Sequence, residues 1–172
     1  EMEADKPSWY DALNGLPGLA GSSLCESFEL KRLAAMLVQC LEGLPANEDG
    51  VALPDELFEF VSKMDAALTA SLRRGISAKP SDFWEQASTL KERFRARTVD
   101  GVSGAEKRFP LDRLKTYFER AREKLDIGIA RSFDEKDGLY PTYFQNEVVR
   151  HRPLRGKFVK PLAFRQTALP VF

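Results

Sequence analysis

Asp11 is the residue whose surroundings are best suited to chemistry. It follows two large aromatic residues, Trp9 and Tyr10, and three of the ten residues after it are glycine. A carboxyl group beside two such rings loses part of its hydration, which disfavours its charged form and raises its pKa toward the range of a general acid. Glycines give the following backbone the freedom to form a loop. The residue types and their spacing therefore make Asp11 the first candidate for an acid catalyst.

The same residues also suit a structural role. An Asp just before a turn often accepts a hydrogen bond from the backbone of that turn and only stabilises it. In that alternative, Trp9 and Tyr10 pack against neighbouring side chains and Asp11 has no chemical task. The residue types alone leave both interpretations open.

The residues around Asp11 resemble a known motif. The string Trp9-Tyr10-Asp11-Ala12-Leu13-Asn14 is similar to the Trp-Asn-Asp-x-x-Asn segment of the inverting glycoside phosphorylases of the cellobiose phosphorylase family. The longer run KPSWYDALNGLPGLAGSSLCESFELKR, residues 6 to 32, resembles more closely the 1,2-β-oligoglucan phosphorylase branch of that family. Tyr10 stands where many members have Asn. The resemblance covers about the first thirty residues and extends less closely to residues 137 to 150.

This resemblance implies a reaction and a role for each residue of the motif. The Asp of the family motif is the general acid, and it corresponds to Asp11. Trp9, Tyr10 and Asn14 belong to the same motif and are expected to contact the substrate. The implied reaction is inverting phosphorolysis of a β-glucan, with inorganic phosphate as co-substrate and no other cofactor. Phosphate replaces the base-activated water of an inverting hydrolase, so only one protein carboxylate acts directly.

A second group of candidates lies near the C-terminus. Tyr140, Tyr143 and Phe144 precede Gln145, Asn146 and Glu147. Aromatic rings stack on the C–H faces of sugars, while amides and acids bond to the hydroxyls, so this composition suits a carbohydrate platform. Tyr143 and Glu147 are its substrate-binding candidates. A half-buried strand carries the same residue types for packing alone, and that alternative stays open.

Phosphate-binding residues are not identified by the sequence. His151, the single histidine, lies between Arg150 and Arg152, which could hold phosphate or form an exposed basic cluster at a strand end. Cys25 and Cys40 are predicted on one helix, about 22 Å apart at 1.5 Å per residue, too far to pair. With a single histidine, no zinc site is expected.

Composition excludes several classes of partner. Lys and Arg together number 26, and so do Asp and Glu. The chain therefore has no excess of positive charge that would indicate binding to nucleic acid or to an anionic membrane. No apolar run approaches the roughly 20 residues of a membrane-spanning helix, and the acidic N-terminus does not resemble a secretory signal. The Walker loop, the dinucleotide-binding fingerprint, the Gly-x-Ser-x-Gly elbow and the HExxH motif are also absent from the sequence. We expect a cytoplasmic location.

Apolar periodicity predicts the elements that position these residues. Helices are expected over about 23 to 42, from Pro54 to Arg74, from Ser81 to Arg97, and over 110 to 130. The first of them is apolar on a wide face and is expected to be buried on more than one side. Residues 98 to 104 read as a flexible break. Residues 142 to 151 read as a strand followed by further extended chain, whose prolines argue against a central strand throughout.

The predicted fold is mainly α, part of an (α/α)6-barrel-like helical domain with a short β-hairpin or extended C-terminal segment. We treat residues 1 to 172 as one domain: an active-site-like loop over 1–22, four helices over 23–130 and a β or extended segment over 138–172. Such a barrel needs twelve helices, so the chain is expected to be a fragment of a larger glycoside phosphorylase (a glycosyltransferase in the broad sense) and inactive alone. Expected partners are an oligosaccharide, the rest of that polypeptide and, as an option, a second copy. The alternative is a non-catalytic helical interaction or carbohydrate-binding domain.

Overall fold

The structure is a computed structural model that describes residues 21–45, 49–75, 80–154 and 159–169. In these ranges the chain forms four α-helices and five β-strands. In chain order they are β1 (Gly21–Ser23), α1 (Cys25–Glu42), β2 (Gly50–Pro54), α2 (Asp55–Arg74), α3 (Pro80–Thr98), β3 (Glu106–Pro110), α4 (Leu111–Arg131), β4 (Tyr143–Pro153) and β5 (Val159–Leu169). They belong to two compact units, one with the described residues up to Leu30 and from Ile127 onward, the other with those from Lys31 to Asp126.

The prediction of a mainly helical fold is confirmed, and each helix lies within two residues of its predicted bounds. Helix α2 shows why the sequence was informative. Asp55 and Glu56 occupy its first turn and Arg73 and Arg74 its last, which complements the helix dipole at both ends. Gly75 then adopts a positive φ of 54° and donates its backbone N–H to the Leu72 carbonyl, which ends the helix.

A two-stranded antiparallel ribbon in the second unit was not predicted. β2 pairs with β3, with Gly50 opposite Pro110 and Pro54 opposite Glu106. We expected the β or extended segment after residue 138, where the two longest strands do lie, and these two short segments were not among the predicted elements. Each is only five residues long and each leads directly into a helix, β2 into α2 and β3 into α4. Strands this short give too few alternating positions for a periodicity signal.

The core of the second unit forms around this ribbon. Phe109 of β3 is fully buried and meets Phe58 of α2 edge to face, with ring centroids 5.2 Å apart. Helix α2 buries Val61, Ala67 and Leu68 in the same unit. Ion pairs add to the packing of its helices. Glu59 of α2 accepts bonds from Lys63 and from Arg97 of α3, and Asp65 accepts one from Arg120 of α4 at 2.6 Å.

Helix α1 is buried on one side only in the described part of the second unit. Ala34 and Val38 are buried, whereas Leu33 and Met36 are 44% and 47% exposed. We expected burial on more than one side. Apolar composition indicates that a face can be covered, but the covering element is a matter of tertiary structure, and in the described ranges nothing covers this face.

The first unit contains a three-stranded antiparallel sheet in the order β1-β4-β5. β4 is the central strand, and its one proline, Pro153, is its last residue. β5 contains Pro161 and lies at the edge, as expected for a strand that includes proline. The register between β4 and β5 shifts between Val148 and His151, which marks a bulge.

Candidate functional site

Trp9, Tyr10, Asp11 and Asn14 lie outside the described residues. The structure describes the segment that follows them, beginning with β1 at Gly21. β1 pairs with the start of β4, placing Gly21 opposite Gln145 and Ser23 opposite Tyr143. The next residue, Leu24, donates its backbone N–H to the Thr142 carbonyl at 2.9 Å. The end of the motif-bearing run is thus held against the strand that carries the second group of candidates.

Glu147 is the substrate-binding candidate of β4 whose side chain is described. It is exposed and lies opposite Arg165 of β5, and its Oε2 accepts a bond from the Arg165 guanidinium at 3.3 Å. An exposed pair of this kind contributes little to stability, so both groups can exchange their partner for a ligand at small cost. The Tyr143 backbone is part of β4, but its side chain lies outside the described residues, and Phe144 is half-buried.

Three aromatic rings come together in the first unit. Tyr140 is the middle ring, 5.4 Å from the Phe28 centroid and 5.0 Å from the Phe133 centroid. Phe28, Phe133 and Tyr140 are 41%, 41% and 45% exposed. We call these three residues the aromatic platform. The sequence indicated Tyr140 but not the two phenylalanines, because Phe28 lies more than a hundred residues from Tyr140 and only the fold brings them together.

The backbone fixes the two C-terminal rings of the platform. Phe133 and Tyr140 flank the isolated antiparallel bridge between Asp134 and Leu139, where the Asp134 N–H donates to the Leu139 carbonyl at 2.9 Å. Gly138, with φ of 67°, closes the turn by donating to the Asp134 carbonyl at 2.8 Å. The Asp134 carboxylate accepts the Lys136 N–H at 2.9 Å, which tightens the same turn. Residues adjacent to a bridged pair have neighbouring side chains, which explains the ring contact.

Polar groups lie in the loop beside the platform. Residues 134 to 137 read Asp-Glu-Lys-Asp, and Glu135 and Asp137 are exposed. Rings with accessible faces next to hydrogen-bond acceptors match the two kinds of contact that a sugar makes, through its C–H faces and through its hydroxyls.

The basic candidates lie on β4. Arg150, His151 and Arg152 are exposed on β4, with Arg150 at its bulge and the other two after it. A phosphate role for them stays a prediction. In the described ranges no group of three or more His, Cys, Asp or Glu side chains could hold a metal ion.

Glu56 is the most deeply buried acid among the described residues, and sequence reasoning missed it. It is 6% exposed, at the start of α2. Its pKa is lowered from the ordinary value of 4.5, chiefly by a bond from its own backbone N–H and then by the Ser103 hydroxyl and N–H. The Ser103 N–H bond measures 3.0 Å. A lowered pKa keeps Glu56 charged, so it suits an anchor for the loop of Ser103 and not a proton donor.

Among the described residues, no helix is both long enough and apolar enough to cross a membrane. No protein-family model matches the sequence, and no curated protein matches it. The geometry and the sequence motif therefore carry the functional argument.

Proposed function

We propose that this chain is part of the catalytic region of an inverting glycoside phosphorylase that acts on a β-glucan, with Asp11 as the general acid. The four helices would form part of an (α/α)6 barrel in the larger polypeptide. The proposal begins from the W-Y-D-A-L-N motif and its resemblance to the 1,2-β-oligoglucan phosphorylase branch.

The pairing of β1 with β4 is the observation that supports this proposal most directly. Residues 6 to 32 and residues 137 to 150 are the two segments that carry the resemblance, and they are separated by about a hundred residues of chain. β1 belongs to the first and β4 to the second, and they are hydrogen-bonded neighbours. If the resemblance of the two segments were a coincidence, there would be no reason to expect a strand of the first to pair with a strand of the second.

The proposed chemistry uses one acid of the chain. Asp11 donates its proton to the glycosidic oxygen as that bond to the anomeric carbon breaks, and an oxygen of inorganic phosphate attacks the anomeric carbon from the opposite face. The products are a glycosyl phosphate of inverted anomeric configuration and a glucan shortened by one unit. Trp9, Tyr10 and Asn14 would hold the sugar on either side of the bond, and a ring beside Asp11 would keep its carboxyl group protonated.

The test is Asp11→Asn in the complete polypeptide that carries this segment. The amide keeps the shape of the side chain but cannot donate the proton, so turnover of an unactivated β-glucan should fall by about 10²- to 10⁴-fold while binding persists. A glycosyl fluoride needs little protonation of its leaving group and should retain far more of its rate. Equal losses on both substrates would contradict the acid role. The matched control is Asp100→Asn, which removes an exposed carboxylate between α3 and β3 and should leave both rates unchanged.

A second function, a non-catalytic carbohydrate-binding domain, is favoured by one observation. The aromatic platform is exposed and requires no acid catalyst in order to bind a sugar. In this case the polypeptide binds glucan, releases no glycosyl phosphate, and Asp11→Asn changes nothing that can be measured.

A further inference from the structure

We propose that the aromatic platform is a binding subsite for glucosyl units of the glucan chain, one that holds the chain and takes no part in bond cleavage. The choice of a glucan as ligand rests on the proposed function. The existence of the subsite rests on the geometry of Phe28, Phe133 and Tyr140.

The first step concerns exposure. Two large rings packed on a third would ordinarily be buried, since each removes a large apolar area from water. Here all three keep more than two fifths of their surface exposed. Leu24 and Ile129, which lie close to them in sequence on the same unit, are buried. The rings therefore offer aromatic surface that a ligand can reach.

The second step concerns rigidity. The Asp134–Leu139 bridge and the turn at Gly138 hold Phe133 and Tyr140 side by side through backbone hydrogen bonds. Phe28 lies in the first turn of α1. Leu24, the residue just before this helix, donates its backbone N–H to the Thr142 carbonyl and so fixes where the helix starts. A platform that is ordered before binding loses little conformational entropy when a ligand arrives.

The third step concerns charge. The loop beside the rings contains Asp134, Glu135 and Asp137 against one Lys136. The Asp134 carboxylate already accepts the Lys136 N–H, whereas Glu135 and Asp137 are exposed. An acidic rim repels nucleic acid and anionic lipid, and a wholly apolar partner would cover the Glu135 and Asp137 carboxylates without giving them hydrogen bonds. A neutral ligand with apolar C–H faces and many hydroxyl donors satisfies both the rings and the rim. A pyranose chain has this chemistry.

The experiment measures binding of short 1,2-linked β-gluco-oligosaccharides to the chain by calorimetric titration, without phosphate. Tyr140→Ala removes the middle ring, and the loss of its stacking contact with the sugar should weaken binding by about threefold to tenfold. Tyr140→Phe keeps the ring and should bind nearly as the parent does. Leu139→Ala is the matched control, because Leu139 is exposed in the same loop but carries no ring.

Each outcome decides one point. If Tyr140→Ala binds as the parent chain does while its thermal unfolding is unchanged, the platform is not the subsite. Equal weakening in Leu139→Ala would assign the effect to the loop and overturn the proposal. No binding by the parent chain would also overturn it. Ring-dependent binding in a polypeptide that releases no glycosyl phosphate would leave the subsite standing and remove the proposed catalytic function, so the two failures are distinguishable.

Discussion

At the scale of single residues, the acids of this chain divide by environment into different tasks. Glu56 is buried at a helix start and bonded to its own N–H and to Ser103, and its pKa is lowered as a result. Asp11 follows two aromatic residues, which would raise its pKa. A residue that anchors a loop through its charge needs hydrogen-bond donors around it, as Glu56 has, whereas a proton donor needs apolar neighbours that keep it protonated, as the sequence gives Asp11. The direction of the pKa shift, more than burial alone, separates the two roles.

Replacing Glu56 with Gln should loosen the loop around Ser103 in a pH-dependent way. A folded-state pKa below the unfolded value means that the charged carboxylate stabilises the fold above about pH 4.5, and that this contribution is lost as the pH falls through the folded pKa. Hydrogen exchange at the Ser103 amide should therefore be faster in Glu56→Gln than in the parent near neutral pH, and the two should converge in acid.

The control for this measurement is Asp100→Asn, which removes an exposed carboxylate from the same loop. It should leave exchange at Ser103 close to that of the parent protein. A difference between parent and Glu56→Gln that persists at the most acidic pH would show that side-chain shape, and not charge, holds the loop.

At the scale of elements, the β2–β3 ribbon organises the second unit although its strands are short. Val51 lies opposite Phe109, whose ring is fully buried. A Cβ on Gly50 would lie 2.8 Å from the Phe109 carbonyl oxygen, so the close approach of the two strands needs glycine there. Each strand of the ribbon runs directly into a helix, β2 into α2 and β3 into α4. The register of the ribbon therefore also sets where these two helices begin.

Phe109→Ala should be the most damaging single truncation in this unit. It removes a fully buried ring and its contact with Phe58, at a cost of about 3–5 kcal/mol in the free energy of unfolding. Denaturant titration of the variant measures this cost. Val102→Ala, which shortens an exposed side chain in the preceding loop, should change it by no more than about 0.5 kcal/mol. A similar loss in the free energy of unfolding for the two variants would mean that the Phe109 ring does not stabilise the core of this unit.

At the scale of the whole molecule, the sequence predicted what depends on local pattern. Long amphipathic helices were located to within two residues because their periodicity spans several turns. The ribbon was missed because five residues such as Glu106–Pro110 give almost no pattern. The aromatic platform was predicted in part, through Tyr140. The contact of Phe28 with Tyr140 joins residues more than a hundred positions apart, so it depends on the fold. The motif around Asp11 is local, which is why sequence alone could single it out.

The chain is neutral overall, and its described part leaves many large apolar side chains exposed. Basic and acidic residues cancel at pH 7. Leu33 and Met36 on α1 and Leu162 on β5 are among the large apolar side chains that the described part of the chain leaves exposed. Neutral proteins lack the mutual repulsion that keeps molecules apart, and exposed apolar patches then drive association. We therefore expect the isolated chain to self-associate near neutral pH.

Replacing these three residues with Lys should reduce that association in two ways, by removing apolar surface and by adding three positive charges. Static light scattering across a concentration series should show a lower apparent mass for the triple variant at the same pH and salt. Folded-state stability should change little, because each side chain is already half in contact with water. Scattering equal to that of the parent would show that these three side chains do not drive the association.

A matched variant separates the two causes. Gln39, Gln86 and Gln166 are exposed, so replacing all three with Lys adds the same charge without removing apolar surface. If apolar contact drives association, this control should retain most of the parent's scattering, and raising the salt concentration should restore the rest by screening the added charge. If repulsion alone is sufficient, both triple variants should scatter equally at low salt and both should associate again at high salt. The apolar interpretation requires that only the Leu33, Met36 and Leu162 variant stays dispersed when the charge is screened.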